Sequence, residues 1–252
     1  MTQSLKGKNI LVTGASKGIG AAIVKKIAAE GAKVIIHYGH NQDAAHQLLD
    51  EIHGNGWIVQ ADLTQPHETF NLWEKALEAA GQIHAVVNNA GIRTEVTLDA
   101  STQEWQAVWQ KEFQVNFFAA ADLSKQAITH FKANGGGRII NITSRAGQRG
   151  YTADALPYGC SKAALINLTK SIARSFGADG ITAVAIAPGW VLTEMAENFI
   201  SVNGQQAAVA EIPIGQLVET EELAELVAFT LRPTQVSLNG ATLDINGGSY
   251  IR

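Results

Sequence analysis

One cysteine, Cys160, in a chain of 252 residues excludes an internal disulfide and fits a reducing compartment. A small residue packed on a helix is the expectation for it, and a reactive thiol the alternative. Cationic residues are not in excess. The 19 Lys and Arg against 23 Asp and Glu leave a formal net charge of -4, and the signs are interspersed, so no basic stripe is offered to nucleic acid. No uninterrupted apolar run is long enough to span a bilayer. The opening Met1-Thr2-Gln3-Ser4-Leu5-Lys6-Gly7-Lys8 lacks the apolar core of a signal peptide. A soluble, cytoplasmic protein with no membrane partner is therefore expected. The seven histidines show no metal-ligand spacing. His37 and His40 straddle an expected loop and are read as solvated rather than ligating, and no metal site is expected. No linker divides the chain, so residues 1–252 are read as one domain.

What the sequence does have is alternation of apolar runs and helical patterns. Asn9-Ile10-Leu11-Val12 reads as a strand, closed by Thr13-Gly14-Ala15-Ser16-Lys17-Gly18-Ile19-Gly20, and residues 21–30 read as a helix. In this setting the glycines let the backbone approach a pyrophosphate, while the helix start offers free N–H groups and a positive dipole end. A second strand spans residues 33–37. A dinucleotide fold places there an acidic residue for the ribose 2′-hydroxyl of NAD. This chain instead runs His37-Tyr38-Gly39-His40-Asn41, with Lys17 as a nearby cation. That combination favours NADP(H), with NAD(H) the second choice. His37 is assigned to the adenosine end of the groove.

Residues 42–53 read as a helix and 57–60 as a third strand, followed by Ala61-Asp62-Leu63, where Asp62 meets an adenine edge or caps a helix. Pro66 opens a helix to about residue 80. Residues 85–87 form a fourth strand before Asn88-Asn89-Ala90-Gly91, whose amides serve structural hydrogen bonds, the cofactor, or both. Residues 102–131 read as a long helix bearing Trp105, Trp109, Phe113, Phe117 and Phe118, a stripe for the core or a subunit interface, interrupted by Asn116.

Residues 138–144 form a fifth strand ending in Ser144, with 145–150 as loop. Tyr158 and Lys162, four apart on a helix over residues 158–177, share one face. A phenol titrates near pH 10, and an ammonium ~4 Å away at an effective dielectric near 20 favours its ionised form by up to ~4 kcal/mol, which would suit it to acid–base work. A sixth strand spans 181–187, and Pro188-Gly189-Trp190-Val191-Leu192-Thr193 then leaves the sheet. Residues 194–214 lack strong caps, and a mobile, partly helical cover over the site is expected at about 190–215. A helix at 220–231 and a strand at 241–244 close the chain. Seven strands alternating with helices predict a doubly wound α/β domain with a seven-stranded parallel sheet.

With these residues in place the chain resembles the classical short-chain dehydrogenase/reductase family over nearly its whole length, and within it the 3-oxoacyl-acyl-carrier-protein reductase group. The signals are Thr13-Gly14-x-x-x-Gly18-Ile19-Gly20, Asn88-Asn89-Ala90-Gly91, Asn116, Ser144, Tyr158-x-x-x-Lys162 and Pro188-Gly189-x-x-x-Thr193, in the family's order. The resemblance implies that Tyr158 exchanges a proton with the substrate oxygen and that Ser144 hydrogen-bonds it. It implies that Lys162 lowers the tyrosine pKa and holds the nicotinamide ribose, and that Asn116 positions a water. Gly14, Ser16, Lys17, Gly18, Ile19 and Gly20 would line the phosphates, Asp62 and Leu63 the adenine, and Asn89, Ala90 and Gly91 the nicotinamide-side ribose. Pro188, Gly189, Val191 and Thr193 would meet the carboxamide end. A homotetramer built on the helices around Trp109 and Leu165 is also implied.

The chain departs from the group at Gly135 and Asp179, where those reductases carry the cations that dock an acidic carrier protein. A carrier partner is therefore doubtful, and a small carbonyl or alcohol substrate at least equally expected. Arg93, Arg145 and Arg149 fall near the pocket mouth, as solvated loop cations or as a bias toward an anionic substrate. The competing function class is a non-catalytic dinucleotide-binding sensor or scaffold, which has no need of Ser144, Tyr158 and Lys162.

Overall fold

A computed structural model describes residues 4–252, apart from the side chains at positions 195, 198, 199 and 203. Met1, Thr2 and Gln3, part of the terminus read above as no signal peptide, lie outside the described residues. The strands are β1 (Asn9–Val12), β2 (Lys33–Tyr38), β3 (Gly56–Gln60), β4 (Ala85–Asn88), β5 (Gly137–Ile142), β6 (Ile181–Pro188) and β7 (Thr242–Ile245). They form one sheet in the order β3-β2-β1-β4-β5-β6-β7, and every neighbouring pair is parallel. The expected doubly wound seven-stranded sheet is thus the observed fold.

Helices follow the strands in turn: α1 (Gly18–Ala29), α2 (Gln42–Glu51), α3 (Glu68–Ala80), α4 (Thr102–Phe113), α5 (Ala119–Ala133), the single turn α6 (Ala146–Arg149), α7 (Leu156–Phe176), α8 (Glu194–Asn203), α9 (Gln205–Val209) and α10 (Thr220–Leu231). Successive strand residues point to opposite faces, so each strand feeds two cores. Ile10, Val12, Val34 and Ile36 pack with Ile23, Ile27, Leu223 and Val227 of α1 and α10. Leu11, Ile35, Val86 and Ile139 pack on the other face with Leu72, Leu123 and Ile172 of α3, α5 and α7. Each such side chain, removed from water, contributes ~1.5–3 kcal/mol. The strand order reverses between β1 and β4, and the crevice outside their carboxyl ends is where an open sheet of this kind binds ligands.

Two expectations change. The helix expected over 102–131 is interrupted: α4 and α5 are joined by a π-helical turn, Gln114–Phe118, carrying the buried Asn116. Apolar spacing continues across it, so periodicity alone does not reveal the extra residue. The segment 145–150, expected as loop, contains the α6 turn. Residues 194–214 are partly helical as expected, holding α8 and α9.

The aromatic stripe is not core. Trp105, Trp109, Phe113 and Phe117 are half-buried and Phe118 exposed, and they stack on one another along the surface. Leu165, by contrast, is buried within the chain, so that side chain itself does not face a partner.

Candidate active site

Thr13, just after β1, anchors the glycine turn to the end of β4: its Oγ1 accepts from the amides of Asn89 and Ala90, each at 3.0 Å. The Asn89 side chain donates to the carbonyls of Thr13 at 2.8 Å and Gly14 at 3.1 Å. Asn88 turns the other way and donates to Asn141 at 2.8 Å, which in turn donates to Thr169 at 2.8 Å, tying β4, β5 and α7 together. Within this motif Asn88 is therefore structural, and Asn89 holds the turn. Gly14 has φ +60° and would place a Cβ 2.9 Å from Ala90, while a Cβ on Gly20 would fall 2.3 Å from the Gly14 carbonyl. No side chain caps the start of α1. The turn is thus a bare-backbone cradle ending in unsatisfied helix N–H groups, and this fits a pyrophosphate.

The cradle opens on a groove of about 740 Å³. Gly14, Ser16, Lys17, Gly18, Ile19, Gly20, His37, Asp62, Leu63, Asn89, Ala90, Gly91 and Thr193 all line it. His37 is not in solvent as expected but buried. Its Nδ1 accepts from the Gly14 amide at 3.0 Å, and its Nε2 lies 3.1 Å from the Ala61 carbonyl, so the ring is a neutral brace between β1, β2 and β3. Burial pushes its pKa down to about 4. Asp62 accepts from the Thr64 amide at 3.0 Å and hydroxyl at 2.8 Å, bonds that hold its carboxyl below the usual range. Lys17 is exposed at the rim and pairs with Glu194.

A second cavity of about 140 Å³ adjoins the groove and shares Ile19, Asn89, Gly91, Arg93 and Thr193 with it. Ser144, Tyr158, Lys162, Pro188, Gly189 and Val191 line it. Ser144 stands two residues past β5. Its loop presses on α7 because Gly147 has no side chain: a Cβ there would lie 2.6 Å from the Lys162 backbone. Tyr158 and Lys162 both face the cavity from α7, as their four-residue spacing predicts. The Lys162 ammonium donates to the Ile142 carbonyl at 3.0 Å and lies 5.9 Å from the Tyr158 ring centre.

The electrostatics differ from the sequence expectation. Burial pushes the Tyr158 phenol up to about 12, against a hydrogen bond from Ser144 and the charge of Arg93, which pull it down. Burial likewise pushes the Lys162 amine down to about 8, with the Glu112 carboxylate opposing. In the chain itself, then, desolvation of the phenol outweighs its neighbouring cations.

Asn116 lies behind the cavity wall. Its amide oxygen accepts from Ile92 N at 2.8 Å, and its nitrogen donates to the Ile92 carbonyl at 2.9 Å and to Ser161 Oγ at 3.1 Å. Sequence reasoning missed Glu112. This carboxylate is buried, accepts from the Thr94 amide, and lies 3.4 Å from the Asn116 nitrogen, and burial raises its pKa. Its position one turn before Asn116 was the available signal, masked by the polar run Gln110-Lys111-Glu112.

Among the described residues no group of His, Cys, Asp and Glu is placed to hold a metal, and no helix is long and apolar enough to cross a membrane. Cys160 is exposed.

Comparison with known proteins agrees with this geometry. Residues 8–203 match the model of the short chain dehydrogenase family. The chain is 34% identical over 251 residues to 3-oxoacyl-[acyl-carrier-protein] reductase FabG of Vibrio cholerae, covering 98% of this chain and 99% of that one. It is 36% identical over 257 residues to a short-chain type dehydrogenase/reductase of Picea abies, covering 97% and 93%. A solved Serratia marcescens short-chain dehydrogenase/reductase variant superposes with a TM-score of 0.88 at 32% identity, over 98% of this chain and 99% of that one. With the glycine cradle, the crevice at the strand reversal and the Ser144, Tyr158 and Lys162 cluster, these likenesses show that the chain belongs to the short chain dehydrogenase family, nicotinamide-dependent oxidoreductases acting on CH–OH and C=O groups.

Proposed function

We propose that the chain interconverts a small carbonyl compound and its secondary alcohol by hydride transfer, preferring NADP(H) to NAD(H), with Tyr158 as general acid and base. One observation carries the reading: Ser144, Tyr158 and Lys162 face a compact cavity that shares a wall with the glycine-lined groove. The bound nicotinamide supplies or takes up the hydride and, when oxidised, adds a positive charge.

The remaining chemistry belongs to the chain. Tyr158 holds its proton at neutral pH and donates it to the substrate oxygen as negative charge builds there; in oxidation it takes the proton back. Ser144 offers that oxygen a second donor already fixed in place. Lys162 uses one of its three N–H groups on Ile142, leaving two for the cavity it lines. Replacing Tyr158 by Phe should lower kcat by ~10²–10⁴-fold while cofactor binding persists. Unchanged turnover in that variant, followed by NADPH absorbance, refutes the mechanism.

Two features support the cofactor preference. No carboxylate closes β2, which ends His37-Tyr38, and Lys17 and His40 both line the groove. Its partner Glu194 is exposed and displaceable by a phosphate. A higher kcat/KM with NADH than with NADPH overturns this part.

The names of the relatives support a second reading, reduction of a 3-oxoacyl thioester. Against a carrier-bound form stands the absence of docking cations: Gly135 has no side chain, and Asp179 pairs with Lys132 at 3.0 Å. Turnover of acetoacetyl-CoA compared with the same acyl group on a carrier protein separates the two. The half-exposed aromatic face of α4 and the π turn supports a homotetramer, and a cytoplasmic location fits the single thiol.

A further inference from the structure

Arg145 follows Ser144 directly and was expected among solvated loop cations. Its side chain is instead only 4% exposed, and it lines the small cavity beside Tyr158. Its Nη1 is buried without a hydrogen-bond partner. Its Nη2 lies 3.5 Å from Glu211, too far for a good hydrogen bond, because that carboxylate is held at 2.7 Å by Arg149. Arginine keeps its charge in any protein environment. A buried guanidinium whose donors lack acceptors is strongly disfavoured unless something completes it.

Arg93 repeats the pattern from the other wall. It lies over the Tyr151 ring, 5.5 Å from its centre, and gives Nη1 to Glu95 at 2.9 Å, while its Nε is buried without a partner. Tyr151 packs in turn against Tyr158, with ring centres 5.7 Å apart and the rings tilted by 53°. Arg93, Arg145 and Lys162 all line the cavity, and among the described residues no carboxylate does.

We propose that the substrate carries its own carboxylate, which Arg145 binds with Arg93 assisting, so that the enzyme acts on small keto acids and the matching hydroxy acids. This rests on the reading of Ser144 and Tyr158 as the carbonyl site. A planar guanidinium presents paired N–H groups matched to a carboxylate, and a charge-assisted pair formed away from water is strong. Arg149 holds Glu211 more closely than Arg145 does, 2.7 Å against 3.5 Å, and neither Arg149 nor Glu211 lines the cavity, so Glu211 does not occupy the place of a substrate carboxylate there. The small cavity, about 140 Å³, suits a short acid.

The test compares NADPH-dependent reduction of pyruvate, acetoacetate and levulinate, whose carboxylates stand at increasing distance from the ketone, with their methyl esters. Binding of the three acids to the NADP⁺-loaded protein is measured in parallel by calorimetry. The expected result is that at least one acid exceeds its ester in kcat/KM by ~10²-fold. Arg145→Met should raise KM far more for the preferred acid than for its ester and so remove that preference, while Arg93→Gln should give a smaller loss of it.

Esters reduced as well as acids in all three pairs, or a preference that survives Arg145→Met in a folded variant, overturns the inference. So does the absence of both turnover and binding for all three acids. The two readings fail separately. Tyr158→Phe should abolish reduction yet still bind the preferred acid. Loss of acid preference with Tyr158-dependent ester reduction sinks only the carboxylate site, whereas Tyr158-independent reduction sinks the mechanism beneath it.

Discussion

Replacing Lys162 with Met should make the cofactor-free protein more stable while removing its activity. The Lys162 amine titrates at about 8 instead of 10.5 because burial disfavours its charge. That depression corresponds to roughly 3 kcal/mol of strain in holding a charged amine at neutral pH. Methionine fills a similar volume but gives up the 3.0 Å hydrogen bond to Ile142, a loss of ~1 kcal/mol with a buried carbonyl left unpaired. Glu112 also loses a counter-charge, but burial already raises its pKa and it can take a proton. A net gain of about 2 kcal/mol remains, or roughly 5 °C in Tm for a chain of this size.

The sign with pH is distinctive. Between about 8 and 10.5 the unfolded chain binds a proton at this lysine that the folded chain does not, so wild-type stability rises with pH across that window. The advantage of the variant is therefore largest at pH 7 and should shrink by ~2 kcal/mol at pH 9.5. Urea unfolding of both proteins at matched concentration, at the two pH values, measures this. A variant less stable than wild type at pH 7, or an advantage independent of pH, refutes the account.

Three further outcomes follow from the same geometry. Glu112→Gln removes the carboxylate that raises the Lys162 pKa, so the alkaline limb of the pH profile of kcat/KM should move to lower pH; a profile that stays in place excludes that coupling. Gly20→Ala puts a Cβ 2.3 Å from the Gly14 carbonyl and should weaken NADPH binding at least tenfold with a loss of ~1–3 kcal/mol in stability, read by fluorescence titration and thermal melting. The His37 ring is depressed to about 4 from 6.5, so the stability it costs by staying neutral should appear as pH falls below 6.5, and His37→Gln should flatten the acid side of the stability curve.

The parts of this molecule that local rules govern were legible in the sequence. The four-residue step from Tyr158 to Lys162 places both on one face of α7, and the β1 run ended by Gly14 to Gly20 marks the cradle. Desolvation was not legible, because it depends on what packs over a group rather than on its neighbours in the chain. Tyr158 and Lys162 were read as a pair tuned by mutual attraction, whereas burial dominates both. Arg145 and His37 were taken for solvated residues on the strength of polar loops around them, and both are enclosed by elements distant in sequence. Glu112 was hidden for the same reason: a carboxylate in the polar run Gln110-Lys111-Glu112 gives no sign that α7 packs against α4 there.

The widened turn at Gln114–Phe118 has a mechanical consequence for how this chain can vary. An added residue rotates everything beyond it by ~100° about the helix axis. Deleting one residue there would restore an unbroken ladder of backbone bonds, yet it would swing α4, with Trp109 and Glu112, a quarter-turn away relative to α5 and its fixed packing on the sheet. The irregular segment therefore sets the angular phase between the outer surface of the molecule and its interior. An insertion or deletion between Glu112 and α5 would therefore be felt at Lys162, through the displaced Glu112 carboxylate.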